Sequence, residues 1–263
     1  MTISSNLSKF GICDISPEIS HQFLSLNDLS TPLVNESDEQ KFLRSLLIHF
    51  DLLTSCNLRD FLRAKLFFEA CQKESIKNQA LSHLIDALTS WANLNYSSAK
   101  LSFNSYLDKY PCDVVVFFML HMMDFCCGNT PDSLCLINKL DLKIFDDHHL
   151  YGYYLGIKSF VMCESNNFQE SLEVGLKSLS IIEKNIYAIH AVVHAYHEIE
   201  NYRKIIEFLN KNMPFWIDNQ GMRMHVYWHI ALAELGLSSI DNARTAFDTF
   251  YSMKTSARGG TRD

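Results

Sequence analysis

The chain contains little proline and glycine, with five prolines and nine glycines among 263 residues. Both residue types interrupt helices, so their scarcity favours long helices over an architecture rich in turns. The alternation of polar and apolar residues that marks half-buried strands is nearly absent. Apolar residues recur instead at helical spacing, for example between Leu81 and Trp91. These features predict an all-α protein.

Clustered positive charge and long hydrophobic runs are also missing. The formal net charge is -7, and basic residues are scattered apart from a short C-terminal tail. Nucleic acids and anionic membranes attract clustered basic residues, so neither is an expected partner. The most apolar stretch, 114–127, is too short to span a bilayer and is interrupted by His121 and Asp124. Residues 1–10 lack the pattern of a signal peptide, which predicts a cytoplasmic location.

Several chemical motifs are absent as well. None of the eight cysteines forms a Cys-x-x-Cys pair, so we expect small buried hydrophobic residues in a reducing compartment, not a disulfide or zinc framework. There is no glycine-rich phosphate loop. No Ser-His-Asp or Cys-His set can be assigned by spacing alone. The sequence therefore leaves open whether the protein is an enzyme.

The sequence does contain helical hairpins of nearly constant length. Tyr96 is followed by the small residue Ala99 and then by Phe103, and Pro111 closes the unit. Positions equivalent to Ala99 follow after steps of 34, 38, 34 and 38 residues, at Ser133, Ser171, Ile205 and Ala243. A period of about 34 residues is typical of tetratricopeptide repeats, whose units are pairs of helices.

A single hairpin cannot bury its own apolar stripe, so stacked neighbours must supply the core. This predicts a tetratricopeptide-like α-solenoid of antiparallel helix pairs. We expect an irregular N-terminal segment at 1–40, a helical-repeat domain at 41–253 with regular repeats from about 78, and a disordered tail at 254–263. The first helix of each repeat would line a concave groove that is mostly apolar. Such a wall needs a cover, which the N-terminal segment, a second copy or a bound partner can provide.

Five histidines in two groups form the most distinctive pattern. His190, His194 and His197 recur at steps of four and three, and His225 and His229 follow one hairpin later. These steps place side chains on one face of a helix, so two adjacent helices can direct up to five imidazoles into one space.

Three interpretations of the histidines remain open. The imidazoles can pack in a neutral form between helices, hydrogen-bonded to one another or to tyrosines. They can hold a transition metal, with Glu164 or Glu198 completing the ligand set. They can also carry protons for an organic ligand, with His190 or His194 as the acid or base. No acidic residue lies between paired histidines as in a His-Glu-x-x-His hydrolase, so that mechanism is not indicated.

The candidate residues follow from these interpretations. The pocket candidates are His190, His194, His197, His225, Trp228, His229, Glu164 and Tyr187. The metal candidates are His190, His194, His225 and His229. By contrast, we expect the acidic and histidine run at 146–149 to cap a helix and His121 to lie in the core.

Two motifs resemble a known family. Residues 187–194 contain an Ala-His pair with a second histidine four residues on, and residues 225–232 read His-x-aromatic-Trp-His followed by Ala-Leu. The motifs occur in the order and at the separation found in the tetratricopeptide repeat protein 38 family, and the resemblance covers roughly residues 78–251. His197 stands where that family has a glutamate. The resemblance implies a helical-repeat fold and no settled reaction.

The sequence thus predicts a tetratricopeptide-repeat interaction or scaffold protein without established catalysis and without a cofactor. The alternative is an apolar pocket, lined by histidines, that binds a small molecule or a metal and belongs to an enzyme using His190 and His194. Expected partners are a protein, a second copy of the chain, or a small molecule in the groove.

Overall fold

The computed structural model describes residues 11–74, 76–139, 149–219 and 221–254, and all regular elements in these ranges are helical. The predicted all-α class is therefore confirmed. A 3₁₀ turn at Gly11–Asp14 precedes α1 (Pro17–Leu24), α2 (Asp38–Leu53), α3 (Leu58–Cys71), α4 (Gln79–Ala92), α5 (Tyr96–Lys109), α6 (Val114–Cys126), α7 (Thr130–Lys139), α8 (Tyr151–Glu164), α9 (Phe168–Ile181), α10 (Ile186–Glu198), α11 (Tyr202–Lys211), α12 (Met213–Trp216), α13 (Arg223–Gly236) and α14 (Ile240–Lys254). The predictions for residues 1–10, 146–148 and 255–263 lie outside the described residues.

The helices come in the pairs that the spacing predicts. The second helices α5, α7, α9, α11 and α14 begin at Tyr96, Thr130, Phe168, Tyr202 and Ile240. The residue three positions later is buried in every case, from Ala99 in α5 to Ala243 in α14. Neighbours such as α8 and α9, or α13 and α14, pack against each other. Four of the five residues are Ala or Ser, whose small side chains let the two helices of a hairpin approach closely, and Ile205 is the exception.

The structure divides the chain into two compact units that the repeat pattern did not predict. Unit 1 comprises residues 1–20 and 29–120, and unit 2 comprises residues 21–28 and 121–263. Each unit therefore combines a short piece of the N-terminal segment with helical pairs.

In unit 1 the N-terminal piece is held by the buried carboxylate of Asp113. Its Oδ2 atom accepts hydrogen bonds from the Ile12 amide at 2.8 Å and the Tyr106 hydroxyl at 2.6 Å, and the Cys13 thiol donates to Oδ1 at 3.1 Å. The Val116 amide, in the first turn of α6, also donates to Oδ1 at 3.1 Å. Asp113 therefore caps α6 and fixes residues 11–13 at the same time.

The N-terminal segment is more regular than the sequence analysis predicted, because residues 17–24 form α1. The Ser16 hydroxyl accepts from the Ile19 amide at 3.3 Å, and Pro17 supplies a helical backbone angle at the first position. Ile19 and Phe23 are buried on one face. Two helical turns are too short to produce a sustained apolar period, which is why the pattern was missed.

In unit 2 the N-terminal piece contacts a first-helix position of the predicted groove. The hydroxyl of Tyr153 on α8 lies 2.5 Å from the Ser25 hydroxyl and 3.3 Å from Nδ1 of His21. Leu26 packs against the core cluster that contains Val226 of α13. The N-terminal segment was one of the three proposed covers for the apolar wall. Within this unit it contacts α8 and packs against the core cluster.

The cysteines are only partly as expected. Cys13, Cys71, Cys112 and Cys163 are buried, but Cys56, Cys126, Cys127 and Cys135 are exposed. The prediction of buried cysteines is wrong for these four. Cys126 is the last residue of α6, where the apolar run of this helix ends. Its side chain is exposed there although its neighbours in sequence are apolar.

Gly175 marks a close approach of α9 to two other helices. A Cβ atom at this position would lie 2.6 Å from Cγ2 of Val192 and 2.7 Å from Oγ of Ser159. We expect Gly175→Ala to lower the free energy of unfolding by about 1–3 kcal/mol, since overpacking outweighs a gain of about 1 kcal/mol in helix propensity. Urea denaturation measures the change, and Glu173→Ala, an exposed position on α9, is the control. A more stable Gly175→Ala variant would contradict the close approach.

Within the described residues, no helix combines the length and the apolar character that crossing a membrane requires.

Candidate metal centre

Asn185 fixes the position of α10, which carries the first histidine group. Its side chain is fully buried, and its Oδ1 atom accepts from the Ala188 amide at 3.2 Å. Its Nδ2 atom donates to the Gly152 carbonyl at 3.1 Å and to Oγ of Ser178 at 2.9 Å. These bonds tie the first turn of α10 to α8 and α9. Asn185 therefore helps to fix the register of α10 and so the position of its histidines along α8 and α9.

A second asparagine, Asn219, ties the start of α13 to a neighbouring segment. Oδ1 of Asn219 accepts from the Met222 amide at 2.9 Å just before α13 begins, and Nδ2 donates to the Ser25 carbonyl at 2.9 Å. An apolar core then joins α10 and α13. Its members include Ile189, Val193, Val226 and Ala233. The histidines occupy other positions of these two helices.

The structure brings His190, His194, His225 and His229 together in unit 2, and we call these four the His cluster. Nε2 of His225 lies 2.8 Å from Nε2 of His190 and 2.9 Å from Nε2 of His229. One nitrogen from each of the four rings lies within 4.8 Å of the others. Two helices that are separate in the chain thus direct four imidazoles to one point, as the spacing predicts.

Hydrogen bonds among neutral imidazoles cannot account for this convergence. The Nε2 atom of a neutral imidazole carries either one proton or one lone pair. Nε2 of His225 faces two other Nε2 atoms at hydrogen-bonding distance. With one proton it can make one linear bond, and with one lone pair it can accept one. A hydrogen-bonded packing arrangement therefore leaves at least one close nitrogen pair without a good bond.

Several ring nitrogens of these histidines are buried without any hydrogen-bond partner. They are Nδ1 of His190, Nδ1 of His229, Nε2 of His194 and Nε2 of His197. A buried polar atom without a partner is costly, by about 1–3 kcal/mol. Among the four, Nε2 of His194 belongs to the nitrogens that a shared cation would satisfy, because the other nitrogen of that ring faces a carboxylate.

Burial lowers the pKa values of His190, His194, His197 and His229. The pKa of His194 falls to about 3, first because burial removes water and then because His225 and His197 would repel its charge. The pKa values of His190 and His229 lie well below the ordinary range for the same reasons. Neutral imidazoles are metal ligands, so these rings are ready to bind a cation without first losing a proton.

Glu164 stands behind the cluster, at the end of α8. Its Oε1 atom lies 3.8 Å from Nδ1 of His194. Burial and the nearby Glu198 carboxylate raise the pKa of Glu164. A carboxylate next to the outer nitrogen of a histidine orients the ring and increases its basicity toward a metal. Glu164 is therefore placed as an outer partner of His194.

The other predicted pocket residues lie around this cluster without joining it. The His197 ring lies 5.3 Å from the His229 ring, and burial lowers its pKa. The Tyr187 hydroxyl is 2.6 Å from Nε2 of His121. Trp228 contacts Phe250 of α14, with ring centroids 5.7 Å apart.

Two neighbours of the cluster escaped the sequence analysis as site residues. Phe160 of α8 stacks on the His190 ring at 5.3 Å with an interplanar angle of 19°. His121 is buried, which confirms its expected place in the core, but it also holds Tyr187 beside the cluster. Burial lowers the pKa of His121 to about 3. Sequence spacing does not reveal these contacts because both residues lie on other helices.

Access to the cluster is restricted. His190 is 8 % exposed and His229 is 5 % exposed. A cavity of about 10 Å³ next to Glu164, lined also by His121 and Ser133, has room for about one water molecule. None of the four clustered histidines lines it, nor do they line the wider surface depression of unit 1 at Glu39 and Leu81.

The four histidines fit a first-row transition metal. Imidazole nitrogens bound to Zn²⁺ lie about 2.0–2.1 Å from the ion, which separates the ligands of a tetrahedral site by about 3.3 Å. The nitrogen separations of 2.8 and 2.9 Å, with all four atoms within 4.8 Å, are close to this arrangement. The donor set suits zinc, copper or nickel, which all accept imidazole.

No model of a protein family matches the chain, and no solved structure matches it. The resemblance to the tetratricopeptide repeat protein 38 family accordingly stays a prediction from the two histidine motifs.

Proposed function

We propose that the protein binds one divalent transition-metal ion through the His cluster. His190, His225 and His229 would supply Nε2 atoms, and His194 would supply the fourth nitrogen. The observation that carries this proposal is the meeting of three Nε2 atoms at 2.8 and 2.9 Å, a contact that neutral imidazoles do not satisfy by themselves. A cation satisfies all the converging lone pairs at once.

The proposed ion has a structural role and is most consistent with Zn²⁺. A structural zinc site has four protein ligands, whereas a catalytic site keeps one position for water or substrate. Here four buried or half-buried imidazoles would fill all four positions of such a site. The ion would join α10 to α13 and so stabilise the contact between two helical pairs. Acid–base chemistry on an organic ligand is less well supported, because the two buried histidines leave a substrate no direct approach.

The charge of the proposed centre is compensated from outside the ligand set. Four neutral imidazoles leave the ion's double positive charge intact. The carboxylate of Glu164, 3.8 Å from Nδ1 of His194, lies close enough to offset part of it. Glu198 lies near Glu164, since its charge raises the pKa of that carboxyl. Binding of a cation would reverse this effect and favour both carboxylates in their charged form.

The surrounding architecture is proposed to be a tetratricopeptide-like solenoid related to the tetratricopeptide repeat protein 38 family. Support comes from the helix starts at steps of 34 and 38 residues and from the buried residues three positions later, which are small in four of the five helices. The interaction scaffold that this pattern predicts remains a prediction. The metal centre is compatible with it, because an ion between two repeats would hold their relative position.

A zinc titration tests the proposed centre. Untagged protein is treated with a chelator, dialysed and titrated with Zn²⁺ in a calorimeter. We expect one equivalent to bind, and we expect His225→Ala to weaken binding by about 100-fold or more. His225 is chosen because it is only half-buried, so its removal perturbs the fold less than removal of His190 or His229. Co²⁺ in place of Zn²⁺ should give the visible absorption of a tetrahedral site.

The control is His83→Ala, a half-buried histidine on α4 that lies outside the cluster. It should bind Zn²⁺ as the wild type does. Circular dichroism establishes that both variants keep their helices. Absence of stoichiometric binding in the wild type, or equal binding in the wild type and the folded His225→Ala variant, would refute the metal centre.

A further inference from the structure

One side chain from a third helix packs against two of the clustered histidines. Phe160 of α8 is buried, with 2 % of its surface exposed. Its ring stacks on the His190 ring, with centroids 5.3 Å apart and an interplanar angle of 19°. It meets the His194 ring edge to face, with centroids 5.2 Å apart and an angle of 63°. Both histidines of α10 that belong to the His cluster therefore rest against one flat side chain.

These two contacts hold the imidazoles at an angle to each other. The rings of His190 and His194 meet at 73°, with centroids 4.2 Å apart. The torsion between a histidine ring and its Cβ atom has a broad range of allowed values, so packing decides where the ring stops. Turning the ring moves its nitrogens and changes the direction of their lone pairs. Phe160 therefore restricts where both rings can direct a lone pair.

Phe160 is itself held in place by aromatic neighbours and by close helix packing. The Phe125 ring of α6 lies 5.4 Å from it and the Tyr187 ring of α10 lies 5.5 Å from it, measured between centroids. One turn earlier on α8, a Cβ atom on Gly156 would lie only 2.6 Å from Nδ2 of Asn185. The glycine thus lets α8 approach the start of α10 closely. This approach sets Phe160 firmly against the histidines.

We propose that Phe160 is a positioning residue that makes the His cluster selective for Zn²⁺ over Ni²⁺. The inference rests on the metal centre proposed above. Zn²⁺ has no geometric preference from its d electrons, so it accepts the nitrogens where the protein holds them. Ni²⁺ bound to nitrogen ligands favours square-planar or tetragonal geometry, and rings that cannot turn resist the rearrangement that it needs. Phe160 has no donor atom and acts on the ion only through the two rings that it contacts.

Competition titrations of the full chain with Zn²⁺ and Ni²⁺ test this role. Phe160→Met keeps an apolar side chain that fills the space but removes the flat ring, so the helices should stay packed. We expect the variant to bind Zn²⁺ about 10-fold more weakly than the wild type, as when other groups that orient metal ligands are lost. Its affinity for Ni²⁺ should fall less, so the preference for Zn²⁺ should decrease several-fold. The visible absorption of bound Co²⁺ should change as well, which a general loss of stability would not produce.

Phe103→Met is the matched control, because Phe103 is a fully buried phenylalanine on α5 of unit 1, outside the His cluster. It should lose similar packing and bind all three ions as the wild type does. Phe160→Leu, a second variant without the flat ring, should show the changes of Phe160→Met, and circular dichroism establishes which variants are folded.

The titrations separate two failures. A wild type that binds no Zn²⁺ would overturn the metal centre and the role of Phe160 with it. A wild type that binds one equivalent, while a folded Phe160 variant keeps the same ion preference and Co²⁺ absorption, would overturn the role of Phe160 alone. Equal changes in Phe103→Met would do the same, since the effect would then come from lost packing anywhere in the chain.

Discussion

Lowering the pH of the metal-free protein from 7 to 5 is expected to reduce its free energy of unfolding by about 4–7 kcal/mol. Burial lowers the pKa of both His121 and His194 to about 3, and it lowers those of His190 and His229 well below their ordinary range. The unfolded chain takes up protons near pH 6.5 that the folded protein does not bind. Stability is therefore present at neutral pH and lost as the pH falls below about 6.5.

The magnitude follows from adding the separate groups. A histidine with a folded pKa near 3 contributes a loss of about 2 kcal/mol by pH 5. His121 and His194 together account for about 4 kcal/mol. His190 and His229 add to this loss, because their lowered pKa values also keep them from binding protons at pH 5. Asp113 acts in the opposite direction, since burial raises its pKa to about 6 and the folded protein then binds the extra proton. This offsets about 1 kcal/mol at pH 5.

Urea denaturation in chelator-containing buffer at pH 7, 6 and 5 measures this dependence. We expect His121→Gln to reduce the loss between pH 7 and pH 5, because one buried imidazole no longer titrates. Ser97→Ala, an exposed non-titrating position on α5, should leave it unchanged. An unfolding free energy that stays constant over this range would mean that the imidazoles are solvated or paired in the folded protein, against the burial described above.

The second large effect is expected for Asp113→Ala, which should lower the free energy of unfolding by about 3–5 kcal/mol. The substitution removes the cap of α6 and leaves the Tyr106 hydroxyl buried without its acceptor. It also removes one of the two acceptors of the Ile12 amide, which keeps only the Tyr106 oxygen at 3.0 Å. These costs fall on unit 1. Hydrogen exchange should show that residues 11–13 lose protection before the helices do, since their main attachment is gone.

Two further variants test whether the loss of stability comes from the buried hydrogen bonds of Asp113. Asp113→Asn keeps one acceptor oxygen in nearly the same volume, so it should cost less than the alanine variant. Asp108→Ala removes an exposed carboxylate from α5 and should change stability by less than about 0.5 kcal/mol. If Asp113→Ala were as stable as Asp108→Ala, the buried network of Asp113 would not be what holds the N-terminal piece of unit 1.

The helices and their pairing could be predicted from the sequence because local chemistry determines them. The recurring position of Ala99 marks where each second helix approaches its neighbour, and the structure places a buried residue at each repeat of it. Short elements such as α1 were missed, since two turns do not establish a period. The sequence analysis also predicted wrongly that Cys126 is buried. Apolar neighbours in sequence do not show at which residue a helix stops contacting the core.

The histidine pattern shows the same division between local and tertiary information. Steps of three and four residues determine that His190 and His194 share one face of a helix, and that His225 and His229 share another. The sequence by itself therefore determined which residues can converge. Only the tertiary structure decided that they do, because the bonds of Asn185 and Asn219 and the core between α10 and α13 set the helices in register. It also placed Glu164 and Phe160 beside the cluster and divided the chain into two units, since contacts between residues distant in sequence depend on how whole helices pack.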